Sequence, residues 1–175
     1  ENRRNLLYVN KGNNPEGIPI FDEVAKEYGI SDDSHTTNAA FFDADNDGDL
    51  DLFLAVNQMD KKHIPNVYKK KSDDGSSIRR DRLYRNDFNK EKGHPVFTEI
   101  SIEAGIKIEG FSLGINICDI NNDGWKDIYV TNDYLSNDLI YVNNQDGTFT
   151  DNSDTYTKHT SYSAMGNDVV DLNND

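Results

Sequence analysis

The chain has 175 residues, enough for one ordinary domain, and its 18 Lys and Arg stand against 32 Asp and Glu for a net charge of −14. That acidic balance argues against nucleic acid and anionic membrane surfaces as partners, since both select basic patches. No run approaches the ~20 apolar residues of a membrane span.

Hydrophobic residues make up only 35%, yet eight Phe, nine Tyr and one Trp argue against disorder. The expectation is a loop-rich β protein with a small core. The single cysteine, Cys118, excludes an internal disulfide, and its place at the end of an apolar alternation reads as a buried, inert thiol. Glu1 falls almost on a strand, which reads as a trimmed start without a signal peptide.

In chain order, a Leu-Tyr-x-Asn element comes first, as Leu7-Tyr8-Val9-Asn10, followed by an aromatic-led strand at Phe21-Asp22-Glu23-Val24. A short helical turn is expected at 24–28, before Gly29. The next stretch organises the rest: Asp43-Ala44-Asp45-Asn46-Asp47-Gly48-Asp49-Leu50-Asp51. Oxygen side chains stand at positions 1, 3 and 5, Gly at 6 and an acid at 9. A hard cation such as Ca²⁺ takes six to eight oxygens at roughly 2.3–2.6 Å, and a short loop supplies them when alternate side chains point inward and a Gly permits the turn. Asp43, Asp45, Asp47 and Asp51 are the expected carboxylate ligands, with the backbone carbonyl of Asp49 a fifth. Such crowded carboxylates repel one another unless a cation neutralises them.

An EF-hand would need a bidentate Glu at position 12 and a helix running out. Position 12 is Leu54 here, and Leu52-Phe53-Leu54-Ala55-Val56 reads as strand. The blade beginning near Asn38 then carries an insertion. Residues 58–82 hold eight bases (Lys61, Lys62, Lys69, Lys70, Lys71, Arg79, Arg80, Arg82) against four acids (Asp60, Asp73, Asp74, Asp81), with a flexible tip at Asp73-Asp74-Gly75-Ser76-Ser77. It reads either as a solvated excursion or as a loop that docks an acidic surface, a glycan or a neighbouring domain.

Leu83-Tyr84-Arg85-Asn86 and Phe97-Thr98-Glu99-Ile100 repeat the opening elements, with a helical turn expected at 102–104 before Gly105. The second unit follows: a strand over 112–118, the loop Asp119-Ile120-Asn121-Asn122-Asp123-Gly124-Trp125-Lys126-Asp127, and strands near 127–131, 138–143 and 148–152. Asp119 lies 76 residues after Asp43. Asp119, Asn121, Asp123 and Asp127, with the Trp125 carbonyl, are the expected ligands, and the Asn121 amide makes this site less charged and weaker. Position 12 is Val130, so again a strand follows. A third loop starts at Asp171-Leu172-Asn173-Asn174-Asp175 without its Gly or closing acid, so Asp171, Asn173 and Asp175 form only a truncated site.

Phe21, Phe97 and Phe149 each precede the first Asp of a loop by 22 residues. A spacing kept three times fixes the length of the connection between units. Four short antiparallel strands in about 40 residues, with turns between them, is the pattern of a propeller blade. The fold expected is therefore all-β, with four-stranded antiparallel blades whose calcium loops join first and second strands. Residues 1–36 would give the last two strands of a preceding blade, 37–111 a complete blade with the insertion, and 112–160 a second. Residues 161–175 would begin another. Two blades cannot close a ring of four to eight, so the chain reads as a partial propeller.

The Asp-x-Asp-x-Asp-Gly-x-x-Asp loops between strands resemble FG-GAP and VCBS repeats, calcium-binding propeller blades. Leu83-Tyr84-Arg85-Asn86, Asp127-Ile128-Tyr129-Val130-Thr131-Asn132-Asp133, Asp146-Gly147-Thr148-Phe149 and Ser163-Ala164-Met165-Gly166 are similar to the ASPIC/UnbV branch, which includes cartilage acidic protein. The resemblance implies a secreted or surface-exposed, calcium-stabilised scaffold that binds proteins or glycans.

No Gly-x-Ser-x-Gly, His-Glu-x-x-His, phosphate loop or Cys-x-x-Cys is present, and His35, His63, His94 and His159 share no motif. Carboxylates packed into one nine-residue loop suit a cation cage better than a pair flanking a sugar. The expectation is thus a non-catalytic adhesion module with two Ca²⁺ sites, whose partners are a protein or glycan on a propeller face and the parent's remaining blades. The alternative is a polysaccharide lyase or hydrolase whose active site lies outside this segment.

Overall fold

The computed structural model describes residues 4–59, 70–134 and 137–173. Among these residues ten strands run as antiparallel meanders. The hairpin β1 (Tyr8–Asn13) and β2 (Pro19–Glu23) is followed by a helical turn, α1 (Ala25–Tyr28). Next come β3 (Thr36–Phe42), β4 (Asp51–Val56), β5 (Arg82–Asn89) and β6 (His94–Glu99), a sheet in that order. A second sheet holds β7 (Ser112–Cys118), β8 (Asp127–Asn132), β9 (Leu139–Asn143) and β10 (Phe149–Asp151), closed by the turn α2 (Ser153–Tyr156). The all-β blade architecture expected from the loop spacing is what forms, and both acidic loops lead into strands.

β3 and β4 map onto β7 and β8 at the 76-residue offset, irregularity included. Register shifts between Thr36 and Asn38 in the first blade and between Ser112 and Gly114 in the second. β4 is buried along its whole length because side chains alternate between two cores. Phe53 points into a cluster with Leu83, Ile128, Val130, Tyr141 and Phe149, which joins the two blades. Leu52 and Leu54 point the other way, into a cluster with Ala25, Ile30, Tyr84 and Phe97 that holds α1. Full burial of each such side chain contributes roughly 1.5–3 kcal/mol.

The fixed spacing between units has a steric cause. Gly29 and Gly105 end the two connections at φ 87° and 85°. A Cβ on either would meet the carbonyl oxygen of Phe97 or Phe149 at 2.5 Å. Each connection therefore lies directly on the next blade's outer strand, and a residue more or less would lift it off. The helical turn expected at 102–104 forms as a single turn, the Ala104 N–H donating to the Ile100 carbonyl at 2.8 Å, while α2 was not expected.

The insertion's stem is fastened rather than solvated. The Glu109 carboxylate accepts the Ser72 N–H at 2.9 Å, the Ser77 hydroxyl at 2.8 Å and the Arg79 guanidinium at 2.6 Å. Arg79 also lies over the Phe111 ring at 5.4 Å. Arg80 pairs with Glu99 at 3.0 Å, and Lys71 Nζ donates to the Asn137 carbonyl at 2.8 Å. These bases meet acceptors of the same chain. Asp60, Lys61, Lys62 and Lys69 lie outside the described residues.

Residues 161–173 contain no strand. A first strand needs a neighbour to complete its hydrogen bonds, and here the Ala164 N–H and the Asn167 amide bond to the Asn132 and Tyr129 carbonyls of β8.

Candidate metal centre

Each acidic loop is anchored at its closing residue. Asp51 opens β4 and is 2% exposed. Its Oδ2 accepts the Ala44 N–H at 2.9 Å, and its Oδ1 accepts the Asn86 N–H of β5 at 2.8 Å. Asp127 does the same on β8, with Ile120 at 2.8 Å and Asn143 at 2.9 Å. The closing acid thus ties the loop's second residue to the blade's third strand. Asn86 on β5 and Asn143 at the matching place on β9 complete the tie, Asn86 donating to the Leu50 carbonyl at 3.2 Å and Asn143 to the Lys126 carbonyl at 3.3 Å. Asn143 also donates to the Ala44 carbonyl at 2.8 Å, which joins the second blade to the first loop.

From that anchor the first loop turns through carboxylate-to-backbone bonds. Asp43 Oδ2 accepts the Gly48 N–H at 3.1 Å, Asp45 Oδ1 the Asp47 N–H at 3.3 Å, and Asp47 Oδ1 the Asp49 N–H at 3.0 Å. Two residues adopt the left-handed region, Asn46 at φ 58° and Gly48 at φ 95°, and the second loop repeats this at Asn122 and Gly124. Asn and Gly are the residues that tolerate it.

This path brings carboxylate oxygens of Asp43, Asp45 and Asp51 within 4.8 Å of one another. Asp47 is outside that group. Asp43 Oδ1 and Asp49 Oδ1 are buried yet have no hydrogen-bond partner among the described residues. Burial raises the Asp45 carboxyl, with the Asp47 charge adding to it, and burial pushes Asp51 up to about 6 against its two N–H donors. Asp49 is raised by burial and then by Asp47, Asp45 and Asp43. Converging carboxylates, with one orphaned oxygen on Asp43 and another on the neighbouring Asp49, in a field that resists ionisation are what a hard cation relieves. The donor set fits Ca²⁺.

The second loop folds more upon itself. Asp119 accepts the Asp123 N–H at 3.0 Å and the Gly124 N–H at 2.8 Å. Asn121 donates to Asp123 Oδ2 at 2.8 Å, and Gln145 reaches the same oxygen at 3.0 Å. Asp123 Oδ1 takes the Trp125 N–H at 2.9 Å, and that donor, then Gln145 and Asn121, hold the carboxyl below its usual range. Burial raises Asp127. Among the described residues, the acids of this loop do not converge as those of the first do.

Residues 119–175 match the FG-GAP-like repeat. That repeat is a scaffold-type, propeller-like element, not catalytic by itself. No curated protein matches the chain. The repeat begins at the first acid of the second loop and runs through β8, β9 and β10 to the third loop. There Asp171 Oδ1 accepts the Asn173 N–H at 3.2 Å, the opening of another such turn. Asp175, expected as its third ligand position, lies outside the described residues.

Three sets of residues in the repeat architecture escaped the sequence reading. Asn46 and Asn122 take the left-handed turn at position 4. Asp81 and Asp138, buried at the opposite end of each blade, accept the Val56 and Asn132 N–H groups at 2.8 and 3.0 Å. Glu23, Glu99 and Asp151 accept the N–H of the residue two places on, where each connection starts. All three carry a sequence signal, since they recur at fixed offsets from the elements already noted.

Proposed function

We propose that this chain is part of a calcium-stabilised extracellular β-propeller, non-catalytic in this segment, serving as an adhesion scaffold that binds protein or glycan. The convergence of Asp43, Asp45 and Asp51, with Asp43 Oδ1 buried and unpartnered, carries the reading. The second loop takes the cation more weakly, because its oxygens already have internal donors. Extracellular calcium modules bind at about 10⁻⁴–10⁻³ M, so such sites fill outside the cell and stay empty in the cytosol. The FG-GAP-like match supports the scaffold role. The motifs at Leu83-Tyr84-Arg85-Asn86 and Asp146-Gly147-Thr148-Phe149 favour a place near the VCBS and ASPIC/UnbV branches.

Further blades are part of the proposal. Tyr8 and Phe21 are 58% and 53% exposed, whereas their counterparts in the two full sheets, Tyr84, Phe97, Tyr141 and Phe149, are at most 7% exposed. The hairpin β1–β2 thus offers the face that first and second strands cover in a complete blade.

Thermal melting with and without calcium tests the metal. At about 5 mM calcium, one site of that affinity stabilises the fold by about 1–2 kcal/mol. For a chain of this length this raises Tm by about 3–6 °C. Asp45→Ala removes most of that increment. A melting curve that neither calcium nor a chelator moves overturns the reading.

A further inference from the structure

Beside the first loop, between the two blades, lies a cleft of about 420 Å³ that the calcium reading leaves unused. That volume falls within the range of small-ligand sites, about 300–1,000 Å³. Its floor is apolar and buried, formed by Leu83, Ala104 and Phe149. Its rim carries Glu103 from the connection and Trp125 from the second loop. The Glu103 carboxylate accepts no hydrogen bond and forms no ion pair among the described residues. The Trp125 indole N–H donates to none of them, and its ring meets no other aromatic ring or cation. The one guanidinium on the rim, Arg85, is spent on Asp87 at 2.9 and 3.2 Å.

We propose that this cleft binds an arginine side chain presented by a protein partner. A guanidinium stacks on an indole face through the ring quadrupole and donates a planar pair of bonds to a carboxylate. Its three-methylene stem needs an apolar bed, which the floor supplies. Charge selects the same ligand. Asp146 also lines the cleft and, together with Glu103, leaves a field there that disfavours anions. A cation in the first loop would neutralise Asp45 and Asp51 without touching Glu103 or Trp125. The proposal gives the adhesion reading a ligand class, and the groups it uses are the Glu103 carboxylate, the Trp125 ring and the apolar floor, not the carboxylates of the first loop.

Trp125 is the chain's one tryptophan, so its fluorescence reports directly on the site. The probe is Nα-acetyl-arginine amide, titrated into the protein in calcium and again in chelator. The uncharged isostere Nα-acetyl-citrulline amide and glucose serve as controls. A saturable change with the arginine compound is expected, weakened at least about fivefold by the citrulline isostere and by Glu103→Gln. Glu103 is exposed, so that substitution leaves the circular dichroism spectrum intact. An absent response, an equal response to citrulline or glucose, or a response that Glu103→Gln leaves unchanged overturns the proposal. Any of these with calcium-dependent melting preserved removes the arginine site and leaves the scaffold reading standing.

Discussion

Replacing Asp81 by Asn should remove much of the pH dependence of the protein's stability. Asp81 is 1% exposed just before β5. Its Oδ1 accepts the Val56 N–H at 2.8 Å, and its Oδ2 accepts the Ser112 hydroxyl at 3.0 Å. Burial pushes the carboxyl up to about 7, against the pull of those donors and of the Arg82 and Lys71 charges. A carboxyl raised on folding binds its proton more tightly in the native state. Stability is therefore greatest below the unfolded value near 4 and falls as pH rises through about 7. Integrated linkage gives a loss of about 2–3 kcal/mol between pH 5 and pH 8. Asn at this position keeps the Val56 bond and turns its amide towards Ser112 Oγ, whose hydroxyl is 3.1 Å from Asn132 Oδ1. The chain already contains that arrangement. Asn5 stands 76 residues before Asp81 and donates at 3.1 Å to Thr36 Oγ1, the counterpart of Ser112. Urea denaturation of both proteins at pH 5 and pH 8, at one calcium concentration, measures the difference. If Asp81→Asn loses as much stability over that interval as the parent, another group titrates and the reasoning fails.

Other substitutions separate conformational, ionic and metal effects. Gly48→Ala meets nothing within 4 Å, so its cost is that of a side chain at φ 95°, about 1–2 kcal/mol by chemical denaturation. A loss below a few tenths would show that the loop turns elsewhere. Glu109→Ala leaves the Arg79 guanidinium buried without its carboxylate, which costs about 3–5 kcal/mol, and should open the insertion's stem to protease. Although burial opposes it, the Ser72 N–H, the Ser77 hydroxyl and Arg79 hold the Glu109 carboxyl down to about 2. The stem is thus fastened above the ordinary carboxylate range and released as pH falls towards 2, which limited proteolysis across acid pH should report.

The repeat was legible because its physics is local. Alternating acids with Gly48 or Gly124 define a turn within nine residues, and the apolar runs after Asp51 and Asp127 can only be strands. The 22-residue spacing was visible as well, but its cause was not. It lies in the approach of Gly29 and Gly105 to the Phe97 and Phe149 carbonyls, a contact with a partner far along the chain. The insertion illustrates the same limit. Its bases suggested either a solvated excursion or a surface that docks acids, and Arg79 does meet an acid, but Glu109 lies 30 residues on in the same chain. Charge composition states that a base needs an acid without stating which.

The distribution of buried carboxylates also decides what a cation could hold. Each blade is closed at one end by Asp51 or Asp127 and at the other by Asp81 or Asp138, all bonded to backbone N–H groups. Those ties run to the backbone, although Asp51 also belongs to the converging group. Asp43 and Asp45, in contrast, are held only within the loop itself, and it is Asp43 that keeps an oxygen without a donor. A calcium ion there should order the loop and leave the sheet's closure to the buried acids. Amide hydrogen exchange resolves the two. Adding a chelator to the calcium-loaded protein should speed exchange at Asp47, Gly48 and Asp49. The amides of Val56 and Asn86, secured by Asp81 and Asp51, should keep their protection. Equal loss of protection at both sets would mean that the cation holds the blade together and that the buried carboxylates do not.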